Sequence, residues 1–432
     1  MRQLGLTILS PIDQAQAAAL DTLLRSAGDD IENQTLIPFS TLTLLHFASW
    51  VIFTDGTPGP QLIFESNFDG DATSFLRQLV QKARPALDQI YSHCTDYAAG
   101  KSNETVVQYL LAHVLYTDTF YVSCGGLTLT QILQEDELHS RIEEFLGQLP
   151  PGTDAAAARR SIQNFVGAAP DLQWASQPAP PYPLRERLRV RDFAVLIILL
   201  AVLFGPLCLG LKDWGIWLAI VALVLLMLYA ILRRKEATDP SISNTPVEDA
   251  QPSLAKMEQL VSRENRRPQN HLFSVTTVKP GMFRYALLKV VLGAIEFIGR
   301  VASYKGTLSG IPSIHFARWA MINDSKHLLF LSNFDGSWEH YLGEFIDQAA
   351  HGLTGVWSNA VNFPRAWNLI QGGATDEQRF KDYARGMQYY TQLWYSAYPF
   401  LSVVNVLNNA AIRSGLSGPM DGQALDAWLR RF

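Results

Sequence analysis

The chain has 432 residues, 48% of them hydrophobic and 17% charged, which supplies apolar material for more than one core and excludes disorder as its main state. Its 35 Lys and Arg against 40 Asp and Glu give a net charge of −5, so there is no global positive field and no nucleic-acid partner is expected. Cys94, Cys124 and Cys208 fit neither a disulfide framework nor a four-ligand zinc site, and no phosphate loop, dinucleotide glycine fingerprint, nucleophile elbow or paired-His metal motif is present.

In chain order, Leu4–Leu9 reads as a strand, Asp13–Ser26 as a helix, and Thr41–Phe53 with Gln61–Ser66 as a hairpin. Thr73–Lys82 reads as a second helix, Leu87–Cys94 as a last strand, and a further strand and helix follow near Tyr116. Leu149–Tyr182 is rich in Pro and Ala and reads as a linker, with a short helix near Ala155–Val166.

Phe193–Leu211 and Trp214–Leu232 are uncharged apolar stretches separated by Lys212 and Asp213. Each spans about 28 Å as a helix, close to the hydrocarbon thickness. A hairpin puts the charged pair at the far headgroups; one long helix would bury it mid-bilayer. Gly205 and Pro206 keep a kinked or re-entrant pair as the rival reading. Arg185, Arg187, Arg189 and Arg191 precede the hairpin and Arg233, Arg234 and Lys235 follow it, so the positive-inside rule places both soluble parts on the cytoplasmic side of the inner membrane. Glu236–Asn270 is polar and Pro-containing, and reads as a largely mobile linker with a helical turn or two near Leu254–Ser262.

The second soluble part repeats the first. Leu45–Trp50 matches Ile314–Trp319 at an offset of 269, Ser66–Gly70 matches Ser332–Gly336 at 266, Leu87–Ser92 tracks Leu353–Ser358 at 266, and Tyr116–Tyr121 tracks Tyr390–Tyr395 at 274. The second copy therefore reads as strand Leu272–Val278, helix Met282–Ala302, hairpin Ser313–Ile322 with His327–Ser332, helix Trp338–Ala350 and strand Leu353–Ala360. The expected class is α+β: two tandem ferredoxin-like βαββαβ copies, residues 1–148 and 271–432, forming a barrel-like body, with a linker at 149–190, a membrane hairpin at 193–232 and a linker at 236–270.

On alternating strands His46, Ala48 and Trp50 share one face, as do His315, Ala317 and Trp319, with Arg318 on the other. A His beside a small residue and a Trp has room for a flat ligand such as haem, which makes His315 and His46 the candidate cofactor-binding residues; a hydrogen-bonded histidine inside a half-buried sheet is the plainer alternative. Asp69 and Asp335 lie in Asn-Phe-Asp-Gly turns, where they either cap backbone N–H groups or move protons. Arg318 faces Ser49 across the repeat, so the second copy keeps an extra cation; Asp335 and Arg318 are the candidate catalytic pair. No metal ligand set is assigned.

These motifs and the duplicated topology resemble the dimeric α/β-barrel superfamily, which includes dye-decolourising peroxidases and chlorite dismutases. Asn333-Phe334-Asp335-Gly336 ends in the Asp-Gly of the peroxidases' Gly-x-x-Asp-Gly element without its leading Gly. The resemblance implies haem, with Asp335 acting on peroxide. The wording around His315–Trp319 and Leu329–Trp338 also resembles uncharacterised bacterial membrane proteins. Two functions are expected on these grounds: a membrane-anchored, peroxidase-like redox enzyme acting on a small or lipid-derived substrate, or a non-catalytic membrane-associated interaction or scaffold protein.

Overall fold

The structure is a computed structural model describing residues 2–54, 59–97, 99–178, 188–208, 214–241, 252–264, 266–301, 308 and 310–432. It is an α+β fold. The first half contains β1 (Gln3–Pro11), α1 (Ala17–Asp29), β2 (Leu45–Phe53), β3 (Gln61–Asp69), α2 (Ala72–Tyr91), α3 (Asn103–Ala112), β4 (Thr119–Val122), α4 (Leu129–Leu146) and α5 (Ala155–Ala168). The apolar helices α6 (Val190–Cys208) and α7 (Trp214–Thr238) follow, then α8 (Leu254–Val261). The second half contains β5 (Gln269–Thr277), α9 (Met282–Val301), β6 (Ile314–Ile322), β7 (His327–Asp335) and α10 (Trp338–Trp357). It ends with the short pair β8 (Ala366–Trp367) and β9 (Gln371–Gly372), α11 (Glu377–Met387), β10 (Leu393–Ser396), α12 (Val403–Leu416) and α13 (Gly422–Leu429).

The two four-stranded antiparallel sheets are ordered β1-β3-β2-β10 and β5-β7-β6-β4, so each half gives its last strand to the other half's sheet. β10 pairs with β2 through Tyr395 opposite Ala48, and β4 pairs with β6 through Tyr121 opposite Ala317. Leu87–Cys94 and Leu353–Ala360 were expected to be the closing strands of the two copies. Instead the apolar residues Leu79, Val80, Ala83, Ala86, Leu87 and Ile90 recur at helical spacing and extend α2 to Tyr91, across a break at Ala83 just before Pro85. α10 likewise runs to Trp357 across a break at Ala349. The exchanged strands pair at the β2 and β6 edges, and at the opposite edges, beside β1 and β5, Cys94 and Ala360 make single bridges, to Ile12 and Val278.

The sheets pack face to face, with Phe47 and Phe316 at 5.7 Å and Val51, Ile63, Phe273, Ala320, Leu329 and Leu331 buried between them. The outer face of the first sheet buries Leu6, Trp50, Phe64 and Phe68 under α1, α2 and α3. The outer face of the second buries Leu272, Trp319, Phe330 and Phe334 under α9, α10 and α11. A third core joins α4 and α5 to α12 and α13 through Leu138, Ile162, Leu416 and Trp428, and Arg159 donates to the carbonyls of Gly415 and Gly418. The segment expected to be a linker at 149–190 thus contributes a packed helix. The 236–270 segment is also docked where described, through Arg263 to the Arg25 carbonyl and Asp29, and Arg385 to Glu264.

Both apolar helices carry exposed side chains along most of their length, and Trp217 donates from α7 to the Val202 carbonyl of α6. α7 is long and apolar enough to cross a membrane. Lys212 and Asp213, expected to turn the hairpin, together with Arg185, Arg187 and stretches 179–187 and 242–251, lie outside the described residues.

Candidate functional site

Of the predicted site residues, His46, His315 and Arg318 are buried between the sheets while Asp335 is partly exposed at the end of β7, and a β-bulge decides where the histidines point. Leu45 and Phe47 pair with the successive residues Phe68 and Asn67, and Ile314 and Phe316 pair with Phe334 and Asn333, so each strand carries one extra residue at its histidine. The bulge breaks the strict alternation that put His315 on the face of Trp319. Trp319 and Trp50 pack under the helices, whereas His315 and His46 turn to the intersheet side.

There His315 Nε2 lies 2.7 Å from Asp335 Oδ1, and His46 Nε2 lies 3.2 Å from Asp69 Oδ1. The second oxygen of each carboxylate accepts a backbone N–H at the start of a helix: Asp335 from Val403 of α12, and Asp69 from Leu129 of α4, both at 2.7 Å. The turn aspartates therefore do cap helix N-termini, those of the helices after the exchanged strands rather than of the helices that follow them in sequence. Gly70 and Gly336 supply the positive φ, +94° and +83°, that the turns need.

A haem needs a slot open to one histidine nitrogen, and these residues do not provide it. His315 Nε2 is taken by Asp335, with Gln269 at 3.2 Å, and its ring packs 5.2 Å from Phe47. His46 is fully buried, with Nδ1 at 3.1 Å from the Tyr398 hydroxyl. Cys94 is buried too, and burial pushes its thiol up to about 12, outside the range of a reactive thiolate.

The charged centre of the fold is a residue set the sequence reading did not collect. Arg318 projects from β6 between the sheets, fully buried, with its guanidinium 3.4 Å from Glu65 of β3. It also donates to Asn67 Oδ1, to the Ser66 carbonyl at 2.9 Å and to Thr7 Oγ1 at 3.2 Å. Glu65 accepts from Asn67 and Asn333, both at 3.1 Å, from Ser49 at 3.1 Å, and pairs with His271 Nε2 at 2.7 Å. Burial alone would push the Glu65 carboxyl up; the Arg318 charge and the hydrogen bond from His271 outweigh it and bring the carboxyl down to about 2. Arg318 accordingly serves as the partner of a buried acid, which corrects its reading as a spare cation.

The sequence matches expected from a duplication held a signal for this cluster. At the offset of 266, Gly5 corresponds to His271 and Glu65 to Leu331, and at 269 Ser49 corresponds to Arg318. Gly5 pairs with Asn67 as His271 pairs with Asn333. Inward positions at which the halves differ thus meet at one point between the sheets. Gly5 is required there: a Cβ would stand 2.6 Å from the Arg318 guanidinium carbon and 2.6 Å from the Phe120 ring.

His271 connects this centre to the surface. Its Nδ1 lies 2.9 Å from Thr391 Oγ1, and both residues, with Trp394, form the floor of a cleft of about 380 Å³. Trp394 donates to Asn333 at 2.8 Å and its ring lies nearly parallel to that of His271, 6.5 Å away. The walls carry Tyr389, Tyr390, Phe400, Arg263, Arg266 and Arg267, with the carboxylates Asp29, Glu32 and Glu264 paired to Arg263, Arg267 and Arg385. Phe400 is 74% exposed at the rim, while Arg263 is tied to Asp29 at 2.9 Å. Both ring nitrogens of His271 are engaged, so the floor is a rigid polar surface flanked by aromatic rings and guanidinium groups, suited to holding a ligand. Of the aromatic residues near Tyr390, Tyr389, Tyr390 and Trp394 line this cleft, whereas Tyr395 and Tyr398 are buried. Comparison of the chain with protein-family models, with curated proteins and with solved structures gives no match.

Proposed function

We propose that this chain is a membrane-anchored, non-catalytic recognition protein: a duplicated ferredoxin-like body, held at the cytoplasmic face by a two-helix hairpin, that binds a partner group in the cleft above His271. The observation that carries this reading is the use of His46, His315, Asp335 and Arg318 in contacts within the protein, while the open cleft lies elsewhere. The identical strand orders and matching bulges support the duplication. The flanking cations Arg189, Arg191, Arg233, Arg234 and Lys235 support the orientation.

The cleft chemistry favours a carboxylate beside an aromatic or apolar group. Arg266, 61% exposed and 3.8 Å from Asp29, is the cation least committed to protein contacts, and Phe400 offers its ring beside it. The test uses phenylacetate as the probe and saturation-transfer NMR on the detergent-purified chain. Transfer to the phenyl protons is expected, and it is expected to vanish in the Arg266→Glu, Phe400→Ser variant. Transfer that is absent, or unchanged in the variant, overturns the cleft as the site. On the same sample, added haem is expected to keep the Soret band it shows in detergent alone; a protein-dependent shift lost on His315→Ala would restore the haem-dependent reading.

A further inference from the structure

α9 is amphipathic in an unusual sense, because its charged residues are buried or paired and its exposed side is apolar. Arg284, Glu296 and Arg300 are buried, and Lys289 pairs with Asp118. The exposed residues are Met282, Ala286, Val290, Gly293, Ala294, Phe297 and Ile298, at helical spacing and without a charge. Met282 is 78% and Val290 69% exposed. A face of this kind on a helix of 20 residues is costly in water.

Its position says what covers it. The C-terminal end of α9 is fastened to the start of α6: Glu296 pairs with Arg189 at 2.6 Å and with Arg191, and Arg300 pairs with Asp192 at 2.8 Å. The apolar run of α6 begins at Phe193, the next residue, so this end of α9 sits where the chain leaves the headgroups. A second element meets α7 at the same level. The Tyr229 hydroxyl donates to Asn368 at 2.8 Å, in the loop between β8 and β9, and Tyr229 lies one turn, about 6 Å, inside the Arg233–Lys235 cations. That loop holds Asn368 and Leu369 at positive φ, +52° and +71°. Buried Glu236 fixes them by accepting both backbone N–H groups, at 3.0 and 2.7 Å. The loop thereby presents Trp367 and Ile370, each nearly half exposed, beside the apolar helices.

We infer that α9 and the Trp367–Ile370 loop lie in the headgroup–acyl boundary of the same bilayer that α7 crosses, so that the body rests flat on the lipid surface instead of hanging from its hairpin. The inference rests on the membrane reading proposed above. An apolar stripe, an interfacial Trp and a belt of Arg and Lys are the features that hold a helix in this layer.

The experiment places the full chain in nanodiscs of phosphatidylcholine and phosphatidylglycerol, with Cys94, Cys124 and Cys208 replaced by alanine. An environment-sensitive fluorophore is attached at one introduced cysteine: Val290→Cys, Phe297→Cys or Ile370→Cys on the proposed surface, Leu226→Cys on α7, or Lys82→Cys on α2, which covers the outer face of the other sheet. Lipids carrying a nitroxide near the headgroup are expected to quench the first three about twofold and leave Lys82→Cys unchanged, while Leu226→Cys is quenched by nitroxides deeper in the chains. Ala286→Cys and Ala294→Cys repeat the test on the same stripe should the larger replacements disturb folding. Unquenched, water-exposed labels on α9 with Leu226→Cys still quenched overturn this inference and leave the membrane reading standing. Failure of quenching at Leu226→Cys as well overturns the membrane reading itself. Labels on α9 shielded from water but not reached by lipid nitroxides would mean that a second copy covers the face, which also overturns the inference.

Discussion

Replacing Arg318 by serine, the residue at the matching place in β2, strips Glu65 of its arginine partner inside the intersheet layer while leaving the carboxylate buried. Both side chains are at most 2% exposed. Removing one member of a buried ion pair costs about 3–5 kcal/mol, chiefly through the uncompensated charge that remains. That is about the cost of Trp319→Ala, a large truncation under the helices. At about 1–2 °C per kcal/mol for a body of this size, either variant should melt about 5 °C below the parent protein. The assay is a thermal melt of the full chain in detergent, followed by near-ultraviolet circular dichroism. Pairing Arg318→Met with Glu65→Leu removes both charges and should recover most of the loss, to within about 2 kcal/mol of the parent. The pH dependence has a definite sign. Because the Glu65 carboxyl is held below its ordinary value of 4.5, at about 2, its contribution is fully present above pH 4.5 and is lost as pH falls through about 2. At about 1.4 kcal/mol per pH unit this contribution is about 3 kcal/mol. The gap between the parent and Arg318→Ser should therefore narrow in acid. An Arg318→Ser protein that melts with the parent at pH 7, while Trp319→Ala falls, would refute the argument that Arg318 holds a buried acid.

Two further variants address the same layer. Gly5→Ala drives a methyl group into Arg318 and Phe120 and should cost about 1–3 kcal/mol, and less in the Arg318→Ser background, where the guanidinium is gone; equal costs in both backgrounds would deny the contact. Asp335→Ala leaves the Val403 N–H and His315 without their acceptor, and should cost about 1–3 kcal/mol with faster amide exchange confined at first to the opening turn of α12; unchanged exchange there would refute the capping role.

Much of the architecture follows from local pattern. The strand and helix order up to β3 and β7, the positions of the apolar helices, and the glycine-dependent turns after Asp69 and Asp335 are written in periodicities of 2 and 3.6 and in the residues that tolerate positive φ. The sequence matches also set Gly5 against His271, Ser49 against Arg318 and Glu65 against Leu331 as places where the two stretches differ. Other features depend on contacts between residues far apart in sequence, which no local window contains. The strands at Tyr121 and Tyr395 join the β6 and β2 edges of the opposite half's sheet by pairing residues far apart in sequence, so the exchange of strands appears only in three dimensions. The bulges that turn His46 and His315 inward are a matter of register against β3 and β7, since one extra residue reverses the face of everything before it. The pairing of Arg318 with Glu65, 253 positions apart by number, follows from stacking two sheets. A charge removed from water has to find its opposite wherever the fold brings one, and here the fold brings it from the other half of the chain.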